Sequence, residues 1–545
     1  MTPPAPPATA RAWLDRALLS VCVLGTCWLF AQILMFGYGR DQGIYAVVAD
    51  TVLRGGMPYR DAWDFKPPGI FVVYALSRAL FGAPEWGIRA LEVAGLASMV
   101  GAFVVLARRF FGDARIGVVG GALAVLVHAQ LEFWHTAQPE SFGAIATAWA
   151  IVLATWEPAA DDPRARRKQL AALAAAGALY GFVALLKPPL GGGAVVSAGF
   201  AAWNAARRGG GLIERALPVL VMGAASLGVV LLAAAWFAAR GALGDLAEAL
   251  FVFTPHYTKL SWEGATVPGA VYYAFEEFAT FWSSASFVGM LLALGLPADA
   301  PREREGLLHV FGIVSVQLVG VAMQGKYFPY HFGGALPLGG LVAGLGAWKA
   351  WKRMTSSLGA PGAALFAAGA VLALEGRTAT RDTQTEFLDR CLVRQRWALT
   401  PPARRDRAVL DALYGVADVS LASNRRVAAW LRAHTRPDDR VFIWGFEPVI
   451  YDLADRRPAT RFVYNVPQRV AWFQEGSRRT LLADLDRTPP EAIVVEHRDV
   501  FPVVTGNSID SADTLAEFDA LGARLAEGYR LAATIEDFDL YLRRR

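Results

Sequence analysis

The chain has 545 residues, 54% of them hydrophobic and 19% charged, with a mean hydropathy of +0.33. A soluble domain of this size carries roughly a quarter charged residues and cannot cover so much apolar surface, so a soluble globular protein is excluded for most of the chain. The net charge of +5 does not argue for nucleic acid, because the basic residues are grouped between apolar blocks, the pattern that orients membrane proteins.

In chain order, Thr2 to Ala8 is rich in proline and alanine and reads as disordered. The first apolar block, Ala17 to Tyr38, follows Arg11 and Arg16. It is too long for a signal peptide and lacks a small-residue cleavage site, so it reads as a retained span. Further blocks long enough to cross a bilayer lie near 87–107, 115–133, 138–156, 169–187, 189–206, 216–239, 279–297, 307–324, 332–349 and 358–374. That makes about eleven transmembrane helices. The shorter stretch Gly69 to Leu80 reads as a helix at the interface. With the N-terminus inside, the inner loops carry Arg108, Arg109 and Arg115, then Arg164, Arg166, Arg167 and Lys168, then Arg207, Arg208 and Arg215. Arg302 and Arg304, then Lys349, Lys352 and Arg353, complete the series. An odd number of spans puts the C-terminus outside. Cys22, Cys27 and Cys391 do not make a disulfide framework.

From Glu375 onward the composition is that of an ordinary soluble protein, which divides the chain into a membrane body, 1–375, and an extracytoplasmic domain, 376–545. In the tail, strands are predicted at Arg440 to Gly445, Thr460 to Tyr464 and Ala492 to Glu496, a helix at Glu447 to Ala454 and a hairpin over Leu531 to Leu542. Together these make a small α/β domain. No Gly-x-Gly-x-x-Gly follows these strands, so a nucleotide site has no support. Nor does the chain show the internal repeat of many transporters.

The polar residues that invite chemistry sit at the outer ends of spans. Asp41 follows the first span, at the start of a helix that Gly55-Gly56 should end. It reads either as an N-cap or as a general base. Tyr45 lies one turn later on the same face. Lys66, Arg89 and Lys326 are basic residues for which orientation gives no reason; each is either a snorkelling cation or a partner for an anion. Glu140 is a carboxylate entering an apolar helix, a functional candidate or a helix-start charge. His128, Glu132 and His135 have the spacing of one helix face, which fits either a divalent metal site or a polar structural face. The loop 240–278 brings His256 and Tyr257, candidates for sugar or acceptor contacts or members of an interfacial aromatic belt.

The run Asp41-Gln-Gly-x-Tyr-x-x-x-Ala, then Gly56-Met-Pro-Tyr, then Phe65-Lys-Pro-Pro-Gly resembles the GT-C glycosyltransferases that use polyprenyl-phosphate sugars. Within that class it is similar to the lipid A aminoarabinose transferases and protein O-mannosyltransferases. The likeness continues at Glu85-Trp-x-x-Arg89, at Arg108-Arg-Phe-Phe-Gly-Asp-Ala-Arg and at Lys326-Tyr-Phe-Pro-Tyr-His-x-x-x-x-Leu-Pro337. It does not extend to the tail. The resemblance implies that Asp41 deprotonates the acceptor hydroxyl, with Glu140 the second catalytic carboxylate, a position where the family commonly has Asp. It implies that Lys66, with Arg89 and Lys326, binds the donor phosphate. Tyr45, Tyr59, His256, Tyr257, Tyr330 and His331 are then candidates for substrate contacts.

The expected protein is a polytopic α-helical membrane enzyme of GT-C-like architecture in a bacterial-type inner membrane. It would move a sugar, with inversion, from a polyprenyl-phosphate donor to a glycan, lipid or protein hydroxyl. Its other partners would be membrane lipids and not nucleic acid, with a divalent metal ion as an optional cofactor. The tail would recognise the acceptor or cap the outer loops. The rival reading is a secondary transporter or flippase, which also carries intramembrane charges. The clustering of the polar motifs on one face disfavours it.

Overall fold

The computed structural model describes residues 8–159, 162–280, 284–375, 387–416 and 419–544. Residues 2–7, most of the stretch expected to be disordered, lie outside these. The described residues form two compact units. One takes the residues up to 35, 89–233 and 266–389; the other takes 36–88, 234–265 and 390–545. The tail is therefore not a unit by itself, because two earlier segments pack with it. The reason is aromatic. Trp63 of the first loop lies 4.7 Å from Phe253 and 5.9 Å from Tyr464, and Phe253 lies 5.3 Å from Phe473. Such rings bury large apolar area and prefer edge contacts of this kind.

The protein is membrane-embedded and multi-pass. A helix overlies each of the eleven apolar blocks. Among the described residues, five are both long and apolar enough to cross a bilayer alone: Arg11–Ile33, Glu85–Phe111, Ala165–Leu186, Leu212–Ala239 and Glu303–Gln324. Five such helices fall short of the eleven full spans expected. The block at 189–206 loses a turn to the 3-10 segment Pro188–Gly192, leaving the helix Gly193–Arg207. The block at 138–156 is helical from Pro139 to Ala154, 16 residues, ending at Thr155. Small residues let these helices approach closely. A Cβ at Gly120 would fall 2.9 Å from the Cα of Leu341, and one at Gly340 would fall 2.8 Å from that of Ala124. Backbone contact of this kind substitutes for the hydrophobic drive that lipid does not supply.

In the second unit a five-stranded sheet is built from β1 (Arg440–Trp444), β2 (Arg457–Pro458), β3 (Ala492–Glu496), β4 (Tyr529–Ile535) and β5 (Phe538–Arg543), in the order β2-β1-β3-β5-β4. β1 is parallel to β2 and β3, and β5 is antiparallel to β3 and β4. β3 is buried throughout, as expected of a central strand with both faces covered. The predicted strand at Thr460 to Tyr464 is not formed. Its backbone is engaged elsewhere: the Arg461 carbonyl accepts from the Trp63 amide at 2.7 Å. The ladder is confined to Arg457 and Pro458.

Candidate active site

The helix Arg40–Leu53 carries the first site residues. Gly39 occupies the cap position, and its amide donates to Gln42 Oε1 at 3.0 Å. Asp41 is therefore not the cap. It stands inside the first turn, where the helix dipole favours a carboxylate. Its Oδ2 lies 3.4 Å from Lys66 Nζ, and each side chain keeps 16% of its surface exposed. Tyr45, one turn on, is buried, and its hydroxyl accepts from Lys66 Nζ at 3.1 Å. The helix stops at Leu53, and Gly55 at φ 88° carries the chain away.

The loop that presents Lys66 is held on several sides. Tyr59 adopts φ 69°, a left-handed conformation rare for a bulky residue. Its hydroxyl donates to the Lys66 carbonyl at 2.8 Å. Burial, with the nearby Asp64 charge, holds the Tyr59 phenol well above its ordinary range. Pro67 and Pro68 then fix the approach to the helix Gly69–Phe81. Asp64 is fully buried and accepts from the Tyr464 hydroxyl at 2.7 Å through Oδ1. Its Oδ2 has no hydrogen-bond partner among the described residues. Burial raises the Asp64 carboxyl, against the pull of Lys66. Tyr257 packs its ring 4.6 Å from Phe65, and burial together with Asp41 and Asp64 pushes its phenol up. His256, by contrast, is exposed; its Nδ1 lies 2.8 Å from the Val252 carbonyl and its ring stacks on Trp472.

Around this cluster the tail grips the first loop and its helices by buried charge. Arg40, beside Asp41, gives its Nε to Glu447 Oε1 at 3.0 Å, with Asn424 on the other oxygen at 2.6 Å. Arg78 meets Asp452 at 2.5 Å. Removing one partner of such a buried pair strands the other charge in a medium that solvates it poorly.

The remaining candidates lie in the helical body. Arg89 is fully buried and held by Glu92 at 3.1 Å, Thr136 Oγ1 at 2.9 Å and the Phe133 carbonyl at 2.9 Å. It is neither a snorkelling residue nor open to a ligand. Glu140 bonds Lys187, while its Oε2 is buried with no hydrogen-bond partner among the described residues. Lys187 Nζ also sits 5.5 Å from the Tyr330 ring, which stacks with His135 and lies edge-on to His331. Lys326 follows the helix Glu303–Gln324, and burial lowers its ammonium to about 8.

The metal reading of His128, Glu132 and His135 does not survive the backbone. The helix Ala114–Gln130 ends before Glu132, whose φ of 62° breaks the spacing that would align the three. His128 Nε2 lies 3.0 Å from Glu92 instead. Among the described residues no group of three His, Cys, Asp or Glu is placed to hold a metal ion.

Residues 65–236 match the family model described as dolichyl-phosphate-mannose-protein mannosyltransferase. Of solved structures, the chain is similar to ArnT from Cupriavidus metallidurans bound to undecaprenyl phosphate, at 17% identity and TM-score 0.59 over 98% of both chains. The chain has the ArnT fold. The apo form of the same ArnT matches at 16% identity and TM-score 0.54, again over 98% of both chains. No match was found among curated protein sequences.

Set against this ArnT-like fold, sequence reasoning missed Lys187, and it missed Arg40 and Asp64 with the tail residues that hold them. Lys187 had a readable signal, since Lys187-Pro188-Pro189 repeats the Lys66-Pro67-Pro68 motif. Asp64 sits inside the quoted loop, two residues before Lys66. Nothing local marks Glu447 or Tyr464, whose partners lie about 400 residues away in sequence.

Proposed function

We propose that the chain transfers a sugar from a polyprenyl-phosphate donor to a hydroxyl of a glycan, lipid or protein, with inversion, at the outer face of an inner membrane. In this reading the N-terminus is inside and the tail outside. The Asp41–Lys66 pair carries the proposal. At 3.4 Å it is longer than the 2.7–2.9 Å typical of a tight charge-assisted bond, and both partners keep some exposed surface. Such a pair can exchange partners. A donor phosphate would draw Lys66 from Asp41, and the released carboxylate would take the proton of the acceptor hydroxyl. That oxygen then attacks the anomeric carbon as the carbon–phosphate oxygen bond breaks, and the leaving phosphate keeps the electron pair beside Lys66. A single displacement of this kind inverts configuration. Tyr45 and Tyr59 act through Lys66, one on its ammonium and one on its carbonyl, and Tyr257 is a candidate wall for the sugar. Arg89 has no part in this proposal, since its guanidinium is committed to Glu92. The bound undecaprenyl phosphate of the similar ArnT structure supports the choice of donor, and the fold likeness supports transfer over transport.

The test is binding of labelled undecaprenyl phosphate to the purified chain, followed by turnover with undecaprenyl-phosphate sugars and analysis of the product anomer. Saturable binding that Lys66→Met weakens, with an inverted product, is expected. Absence of binding, or a retained configuration, would reject the mechanism.

A further inference from the structure

Two cavities of about 790 and 420 Å³ adjoin in the loop-and-tail unit, with Asp61, Arg440, Pro458 and Thr460 in the walls of both. The larger is in the range of small-ligand sites. Most of the arginines along this groove are engaged. Arg54 meets Asp50 at 2.8 Å, Arg60 meets Asp61 at 3.0 Å and Arg78 meets Asp452 at 2.5 Å. Asp484 takes Arg461 at 3.2 Å and Arg487 at 2.5 Å. Arg456 is used up on Thr435 and on backbone carbonyls.

Besides the carboxylates Asp438 and Asp455, which also line the larger cavity, Arg440 stands apart. Its Nη1 donates to the Pro458 carbonyl at 3.2 Å, and no carboxylate bonds to it among the described residues. Its charged neighbours are Arg457 and Arg54, whose like charges add to burial in holding its guanidinium below the ordinary value. The sheet enforces the crowding, because Arg440 of β1 is the register partner of Arg457 of β2. Like charges side by side on neighbouring strands destabilise a sheet. The nearest carboxylate to Arg457 is Asp438, 3.7 Å away and 96% exposed, too solvated to neutralise the pair. Two guanidiniums held side by side by strand register in the wall of the larger cavity, Arg440 with no carboxylate bonded to it and Arg457 with only the solvated Asp438, suit a planar or tetrahedral oxyanion.

We propose that this groove binds the anionic group of a saccharide, a carboxylate or a phosphate, with Arg440 and Arg457 as its ligands. That the bound saccharide is the acceptor rests on the glycosyl-transfer reading; the anion site does not.

The test uses the full chain in detergent, titrated calorimetrically with glucuronate, inorganic phosphate and, as a neutral control, glucose. The titrations are made in the Lys66→Met background, so that phosphate at the proposed donor site cannot contribute. At least one anion should bind while glucose does not, and the anion that binds tells carboxylate from phosphate. Arg440→Gln should weaken that binding tenfold or more, the loss of one charge-assisted contact, and Arg440→Lys should recover part of it. Arg457→Gln, on a short strand and with a half-exposed side chain, should weaken it similarly and guards against misfolding of the first variant. Equal binding of glucose, no binding of either anion, or unchanged affinity in both glutamine variants would overturn the site. Asp41→Asn should leave these titrations unaltered. A dead anion site with Asp41-dependent transfer intact sinks the groove alone, and the converse sinks the transfer reading alone.

Discussion

In the helical body Glu92 is fully buried and divides its oxygens among Arg89, His128 and the Ala137 amide. In the loop-and-tail unit Asp41 keeps surface exposed and faces Lys66 across 3.4 Å. Both are carboxylates in the first turns of a helix. The difference lies in what a ligand would have to displace. Opening the Glu92 cluster would strand several buried polar groups, each costly to leave unpaired. Opening the Asp41 pair exposes groups that already touch solvent. A closed ion cluster stabilises a fold, whereas in the proposed mechanism the Asp41–Lys66 pair is the one that a substrate opens.

The largest effect that would break this contrast is on activity. Asp41→Asn should lower transfer by about 10²–10⁴-fold, the range for a lost general base, while helix content and donor binding stay near normal. Because Gly39 and Gln42 make the cap, the amide costs no cap bond. Near-normal turnover in Asp41→Asn would place this carboxylate with Glu92 as structure. The converse applies to Glu92→Gln, which should cost several kcal/mol of stability by unbalancing a buried cluster, visible as a lower melting temperature or poor recovery from the membrane. A fully stable Glu92→Gln would remove the distinction from the other side. Lys66→Met, which keeps the aliphatic stem, should weaken donor affinity about ten- to a hundredfold, from the loss of one charge-assisted contact worth roughly 1.5–3 kcal/mol. Unchanged affinity for undecaprenyl phosphate would return Lys66 to a mere surface cation.

How much of this was legible follows the range of the signal. The helical blocks, the helix after Asp41 and its glycine stop were written locally, in apolar length and in Gly55. Asp41, Tyr45, Tyr59 and Lys66 were legible together because one loop of about 25 residues carries them all. Helix ends were less so: the break at Glu132 lies within an apolar block with neither Gly nor Pro to announce it, and the metal spacing failed there. Thr460 to Tyr464 had strand composition, yet the Arg461 carbonyl was claimed by the Trp63 amide and the Arg461 amide by Asp484. The grip of Glu447 on Arg40 and of Tyr464 on Asp64 joins residues some 400 positions apart. No periodicity within either segment encodes such a pairing. The same pairings alter an experiment that the sequence suggests. Cutting the chain after Arg377 would not only remove a candidate acceptor domain but also strand Arg40, Asp64 and Arg78, so point variants are needed instead.

Tyr464→Phe is the mildest of these and bears on how the tail serves the site. The phenol donates to Asp64 Oδ1, and Oδ2 already lacks a hydrogen-bond partner among the described residues. Removing the hydroxyl leaves a buried carboxyl less well satisfied, at a cost of about 1–3 kcal/mol. A purely structural bond would show that cost in melting temperature alone. If instead Asp64 holds the loop that presents Lys66, donor affinity should fall roughly three- to tenfold, with the rate at saturating donor little changed. The pH profile supplies a second readout. Burial raises the Asp64 carboxyl, and the Tyr464 bond opposes that rise by favouring the ionised form. Without the bond the carboxyl moves further up. Because the ionised form attracts Lys66, the acid limb of donor affinity should shift to higher pH in Tyr464→Phe and vanish in Asp64→Asn. An acid limb that does not move, beside a lowered melting temperature, would make Tyr464 a packing residue and separate the tail from the chemistry of the loop.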